Sequence, residues 1–328
     1  MEQSPINLFY EEPERDRWLP YDLFPRKVIR RLVRGKTRAL GHRRTFLNLR
    51  AGLDRIGQPY RVNDFRYAQR NGSETVGIVG KPYVLDKMSW KNRIIFGPCT
   101  HSHPSDDPEL LQRLPVRMIL AYGEWMRRMC EPFWKDRVRT WAVGIDTRTW
   151  SPVPSDQKTT DILLYDKVMW ARHRSETDLI APIVTHLRRH GLSFVTLRYG
   201  FYDEEEFREA LVRCRVMIFL CEHETQGIAY QQALSCGVPI LAWDRGGYWQ
   251  DPSYYPHKVK FAPVTSVPYW DERCGIRFKN VEEFPEKLAE FLERSAAQEF
   301  SPRDYILENL TLEKCATRYV DFYNEAAG

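Results

Sequence analysis

The stretch FLCEHETQGIAYQQALSCGVPILAWD, from Phe219 to Asp244, gathers the residues best suited to chemistry. A buried apolar strand runs into an acidic loop carrying Glu224, Gly227 opens a helix, and Cys-Gly-Val-Pro leads into another strand. The first N–H groups of a helix have no intrahelical acceptor, so those at Gly227 and Ile228 can bind a diphosphate. Gln232, about two helical turns past Glu224, brings an amide that can bond a hydroxyl. Taken singly, Glu224 also reads as an acid favoured by the helix dipole, and Gln232 as a solvated helix residue. Strand, loop, glycine, helix and Gly-Val-Pro arriving together are what point to a binding loop.

A second cluster lies in IIFGPCTHSHPSDDP, where His101 and His103 follow a buried strand and Asp106 and Asp107 come soon after. Two His and two Asp invite a metal reading. No third cluster of ligands is visible, and Ser-Asp-Asp-Pro suits a turn and helix cap, so no metal is expected.

The elements around these residues form two series. Ile6–Tyr10 reads as a first strand, followed by an irregular Trp/Pro-rich insertion to Pro25 and a basic amphipathic helix over Pro25–Leu40. A second helix is expected after Gly41, with Phe46, Leu49, Leu53 and Ile56 on one face and Gly57 at its end. Short apolar runs at Val76–Val79, Ile94–Phe96, Val116–Ala121 and Val138–Val143 read as buried parallel strands. Trp150–Lys158, with two prolines and no periodicity, looks like a linker.

Beyond it, strands at Ile162–Tyr165, Phe194–Leu197, Val216–Leu220 and Ile240–Trp243 alternate with helices at Asp178–His190, Glu204–Val212 and Gly227–Cys236. Helices near Val281–Arg294 and Leu312–Asn324 close the chain. This βαβ series implies a doubly wound parallel sheet, whose ligands bind outside the carboxyl ends of the strands. The domains expected are 1–150 and 151–310, with a last helix over 311–328.

Composition sets the outer bounds. At 328 residues, 43% hydrophobic and 13% aromatic, the chain suits two cores rather than one. No apolar run approaches the ~20 residues that cross a bilayer, and no signal peptide opens the chain. Seven cysteines without a CxxC pair argue against a disulfide framework, so a soluble protein of a reducing cytoplasm is expected. The net charge of +5 is uneven, with ten Lys and Arg side chains between Arg26 and Arg50. That segment can dock on an anionic membrane surface, grip an acidic acceptor, or simply be solvated. Nucleic acid is not expected, because no interleaved aromatics or recognised binding motif accompany the charge.

From Phe96 to the end, the sequence resembles the large retaining GT-B glycosyltransferase family (family 4, group 1 type), whose signature is a Glu, seven residues, then a second Glu. Glu224 stands at the first acid, Gly227 at the interior glycine, and Ala233, Gly237 and Pro239 in the frame that follows. Gln232 stands where the second acid is usual, and it lacks the charge assistance a carboxylate gives. Gly144, Ile145, Asp146, Trp150 and Pro152 match the family's passage into the linker, and the last two helices match its C-terminal run.

The resemblance implies two Rossmann-like domains facing across a cleft, the C-terminal helix folding back on the N-domain. It implies transfer from a nucleotide-diphosphate sugar, UDP- or GDP-linked, to a glycan, lipid-linked or small-molecule acceptor, with retention and without a metal. It puts Glu224 near the donor sugar, Gln232 on the ribose, and His101 or His103 opposite the sugar. Lys167 with Arg172 or Arg174 would be the basic pair on the diphosphate, although the family's usual Gly-Arg is Asp166-Lys167 here. Gly41 and Arg198 complete the donor-binding set. The rival reading is a catalytically weak GT-B domain that senses sugar nucleotides or serves as a partner subunit.

Overall fold

A computed structural model describes residues 4–11, 25, 41–98 and 100–328. In chain order the elements are β1 (Ile6–Phe9), α1 (Gly41–Ile56), β2 (Tyr60–Val62), α2 (Phe65–Arg70), β3 (Thr75–Ile78), β4 (Arg93–Phe96), α3 (Leu110–Arg113), β5 (Val116–Ala121), α4 (Glu124–Trp134) and β6 (Val138–Thr140). They continue with β7 (Thr160–Lys167), α5 (Arg172–Ser175), α6 (Ala181–Arg189), β8 (Phe194–Arg198), α7 (Glu204–Arg213), β9 (Cys214–Cys221), α8 (Ile228–Ser235), β10 (Ile240–Trp243), β11 (Gly275–Phe278), α9 (Phe284–Ala296), α10 (Pro302–Asn309) and α11 (Leu312–Ala327). Two compact units result. One holds the described residues up to Tyr122, Met126–Gly144 and Leu312–Gly328; the other holds Gly123–Trp125 and Ile145–Thr311. The basic helix expected over Pro25–Leu40 lies outside the described residues apart from Pro25 itself.

The first unit carries a six-stranded parallel sheet in the order β2-β1-β3-β4-β5-β6. Strands β1 and β3 are buried at every position, as expected where helices cover both faces. Helix α1 turns Thr45, Phe46, Leu49, Gly52 and Leu53 inward. Gly52 allows α11 to pack closely, since a Cβ there would lie 2.5 Å from the Leu312 carbonyl oxygen and 2.8 Å from the Ala316 Cβ. Trp141 then ties the sheet to α11 through its indole N–H, which donates to the Cys315 carbonyl at 2.9 Å. The C-terminal helix is thus part of the first unit.

The second unit has five parallel strands in the order β11-β10-β9-β7-β8. Counted within the unit this is the 2-1-3-4-5 winding, whose connections reverse direction between β7 and β9. Ile162 and Leu164 of β7 and Val216, Ile218 and Leu220 of β9 pack with Ile183 and Leu187 of α6 and Phe284, Leu288 and Phe291 of α9 into one apolar cluster. Burial of that cluster fixes the sheet and so aims the loops at its carboxyl edge.

Several boundaries differ from the sequence expectation. The helix expected from Asp178 begins at Arg172 and passes through a π turn over Glu176–Ile180, where the Ala181 N–H bonds the Glu176 carbonyl. Pro182, which has no N–H, follows directly, so the ordinary spacing cannot run through this point. Strand β6 stops at Thr140 rather than Val143. Strands β2 and β11 and helix α10 had no counterpart in the sequence reading. The six described cysteines are free and buried. Among the described residues no helix is long and apolar enough to cross a membrane.

Candidate functional site

The connections of the second sheet reverse between β7 and β9, and a crevice at the carboxyl ends of such strands is where doubly wound folds bind ligands. Lys167, the last residue of β7, sits in register with Cys221, the last of β9. Three residues past Cys221, the Glu224 carboxylate accepts a hydrogen bond from the Lys167 ammonium. Their side chains are only 20% and 8% exposed, so the pair is largely screened from water. Burial alone disfavours the lysine charge, but Glu224 outweighs it and holds the Lys167 pKa above its ordinary value. Lys167 also lies 4.5 Å from the centre of the Tyr199 ring, on the loop after β8.

Backbone contacts position Glu224. Its N–H donates to the Thr265 carbonyl at 3.0 Å, and its carbonyl accepts the Trp125 indole N–H at 2.7 Å. Two residues earlier the buried Glu222 carboxylate accepts the N–H groups of Met169 and Trp170 at 2.9 and 2.8 Å, fixing the turn after β7. Trp170 stacks on the His223 ring with centroids 4.7 Å apart.

The His223 Nε2 accepts the Trp249 indole N–H at 3.2 Å. An indole only donates, so the imidazole proton sits on Nδ1, and that buried atom has no hydrogen-bond partner among the described residues. Burial, then the charges of Lys167 and Arg245, lower the His223 pKa to about 3, and the ring is neutral.

Helix α8 begins at Gly227, whose φ of +85° is left-handed; a Cβ there would sit 2.0 Å from Cε1 of Tyr230. Only glycine meets both conditions. Gln226 and Gln231 lock the helix start, Gln226 donating to the Gln231 side-chain oxygen and Gln231 to the Gln226 carbonyl, each at 3.0 Å. Gln231 is therefore structural. Its neighbour Gln232 is buried, and its amide makes no hydrogen bond among the described residues.

The other expected residues are placed differently. Arg172 donates to Asp166 at 2.7 Å and to Glu176 at 2.6 Å, so two carboxylates occupy it. Arg174 pairs with Asp178 at 3.2 Å on the surface, its side chain 85% exposed. Arg198 is exposed, with its guanidinium 4.8 Å from the Phe201 ring centre. None of the three joins the Lys167–Glu224 pair. Gly41 is an exposed residue opening α1 in the first unit.

In that unit, His103 caps the turn Pro104–Asp106: its Nδ1 accepts the Ser105 N–H at 3.1 Å, while Asp106 accepts the His103 N–H at 3.2 Å. His101 is different. Its buried Nε2 makes no hydrogen bond, lying 3.8 Å from Asp107. Burial lowers its pKa, against the opposing pull of Asp107 and Asp106. Among the described residues no three His, Cys, Asp or Glu side chains gather as metal ligands.

His223 and Arg245 were not singled out from sequence. Arg245 follows β10, another strand whose carboxyl end opens on the same edge, so the rule that flags the Glu224 loop also flags this one. Its Nη1 donates to Gln250 at 2.7 Å, while Nε and Nη2 are buried without partners among the described residues.

No family model matches the sequence, and no curated protein does. The structure is similar to AviGT4, a glycosyltransferase involved in avilamycin A biosynthesis, with a TM-score of 0.59 and 12% identity over 98% of both chains. It is similar to an alpha-glucosyltransferase solved with UDP and a 13-mer DNA, with a TM-score of 0.57 and 9% identity over 98% of this chain and 100% of that one. Sucrose-phosphate synthase from Thermosynechococcus elongatus matches with a TM-score of 0.51 and 13% identity over 79% and 75%. At these identities the likeness is one of fold: two parallel-sheet α/β domains of the GT-B kind.

Proposed function

We propose that this chain is a retaining glycosyltransferase that takes its sugar from a nucleotide-diphosphate sugar held by the second unit. The observation that carries the reading is the largely buried Lys167–Glu224 pair at the point where the strand connections reverse, beside the glycine-started helix α8. A fold held in common with glycosyltransferases, one of them solved with UDP, supports it.

In this reading the donor's diphosphate takes Lys167 from Glu224. The freed carboxylate then accepts hydroxyl hydrogens of the donor sugar, and Gln232 bonds the ribose. As the bond from the anomeric carbon to the phosphate oxygen breaks, its electron pair leaves with the diphosphate. Lys167 and the N–H groups opening α8 stabilise that growing charge. The acceptor hydroxyl oxygen bonds the same carbon on the same face, and its proton passes to the departing phosphate oxygen. No divalent ion is required for these steps.

A thermal-shift panel of UDP-, GDP- and ADP-linked sugars tests the reading, because a ligand at 100 times its dissociation constant stabilises its binder by about 2.7 kcal/mol. A shift confined to one or two nucleotide sugars is expected. A panel in which none shifts the midpoint would overturn it.

A further inference from the structure

Three donor nitrogens in the second unit are buried without acceptors among the described residues: Nδ1 of His223, and Nε and Nη2 of Arg245. Buried donors are rarely left so, because each forgoes its bond to water and gains none in return. The His223 donor is fixed in place by the Trp249 indole on Nε2 and by Trp170 stacked on the ring. The Arg245 fork is fixed by Nη1, which donates to Gln250. Orphan donors held this firmly describe a place for anionic oxygens.

The same neighbourhood lacks its expected second cation. Arg172, which stands where the resemblance puts that charge, is bound by Asp166 and Glu176. His223 and Arg245 follow neighbouring strands, Leu220 of β9 standing in register with Trp243 of β10, and the residues that hold them, Trp249 and Gln250, are consecutive; Lys167 stands in register with Cys221, two residues before His223. The nearby acids do not close the site. Glu222 is held by the N–H groups of Met169 and Trp170, and Glu224 by Lys167.

We propose that Arg245, with the His223 Nδ1–H on the loop after the neighbouring strand, is the second diphosphate-binding group of this chain, taking the role that Arg172 would otherwise fill. The proposal rests on the donor reading above and names a residue for it. A guanidinium edge with two free N–H groups matches two phosphate oxygens at once, which an ammonium cannot do.

The test is calorimetric binding of inorganic pyrophosphate and of the nucleoside diphosphate that the panel selects, to the full chain and to Arg245→Gln, Arg245→Lys and Arg172→Gln, each first checked for an unchanged melting midpoint. Arg245→Gln is expected to weaken both ligands tenfold or more and Arg245→Lys to recover only part, with Arg172→Gln within twofold of the parent. In the parent, pyrophosphate should also move the His223 Nδ1 proton resonance.

Loss in Arg172→Gln with none in Arg245→Gln would overturn the proposal. So would a loss in Arg245→Gln seen only with donors whose sugar carries a carboxylate, which would assign the site to the sugar acid. Donor turnover by the parent with Arg245→Gln unaffected sinks this inference alone. Pyrophosphate binding that depends on Arg245, in a chain that turns over no nucleotide sugar, sinks the transferase reading and leaves the anion site standing.

Discussion

Asp166 holds Arg172: the buried carboxylate at the end of β7 lies 2.6 Å from the guanidinium six residues along the chain. The same carboxylate accepts the Val168 N–H at 3.1 Å, so one side chain shapes the turn and fixes the start of the helix that follows. Removing it leaves a partly buried guanidinium with a single partner, Glu176. Asp166→Ala should therefore cost about 2 kcal/mol of stability, measured by urea unfolding. A loss under about 0.5 kcal/mol would mean that the pair is solvated and does not order the turn.

Much of the second unit was legible because its inner strands β7, β9 and β10 are largely buried and read as unbroken apolar runs such as Val216–Leu220. Strand β2 escaped notice because Tyr60-Arg61-Val62 is a short, half-exposed edge, and β11 because Gly275-Ile276-Arg277-Phe278 mixes a glycine and a charge into an edge strand. The site divides in the same way. Glu224 and Lys167 could be placed on neighbouring loops by counting along the chain, whereas their ion pair exists only because β7 and β9 lie side by side. The occupation of Arg172 depends on Asp166 and Glu176, and the orphan donors on His223 and Arg245 depend on Trp249 and Gln250; no spacing rule conveys such tertiary partners.

Acid should destabilise the protein before most carboxylates titrate. A histidine whose folded pKa lies below its unfolded value binds a proton more readily in the unfolded chain, so stability is full above about pH 6.5 and falls as pH drops toward the folded value. His223, lowered to about 3 by burial and then by Lys167 and Arg245, behaves in this way. His42, lowered to about 4 by burial and then by Lys81, adds to the trend. His223→Gln should remove about 2 kcal/mol of the stability lost between pH 7.5 and pH 5. Parallel pH curves for parent and variant would show that His223 is not neutral in the fold.

Glu224 and Gln232 should respond differently to near-isosteric exchange. Glu224→Gln removes the charge that opposes Lys167 and the acceptor proposed for the donor sugar, and turnover should fall at least 100-fold. Gln232→Glu puts a carboxylate where the family resemblance has one, so it should be tolerated and should tighten donor binding through stronger hydroxyl bonds. One assay of donor affinity and turnover covers both variants. Activity abolished by Gln232→Glu and untouched by Glu224→Gln would remove this loop from the donor site.

Lys167, Arg245 and the N–H groups opening α8 should neutralise the diphosphate without an ion, so transfer should survive EDTA within twofold. Activity abolished by EDTA and restored by manganese would contradict this.

The central claim is that Lys167 gives up Glu224 to bind the donor's diphosphate. Its most direct measurement is the rate at which nucleoside diphosphate is released from the selected nucleotide sugar, with parent and Lys167→Ala compared at saturating and at limiting donor. Transition-state charge on the leaving group exceeds ground-state charge, so Lys167→Ala should weaken donor binding about tenfold and lower turnover further, by 100-fold or more. Release of nucleoside diphosphate by Lys167→Ala at the parent's rate would contradict the account.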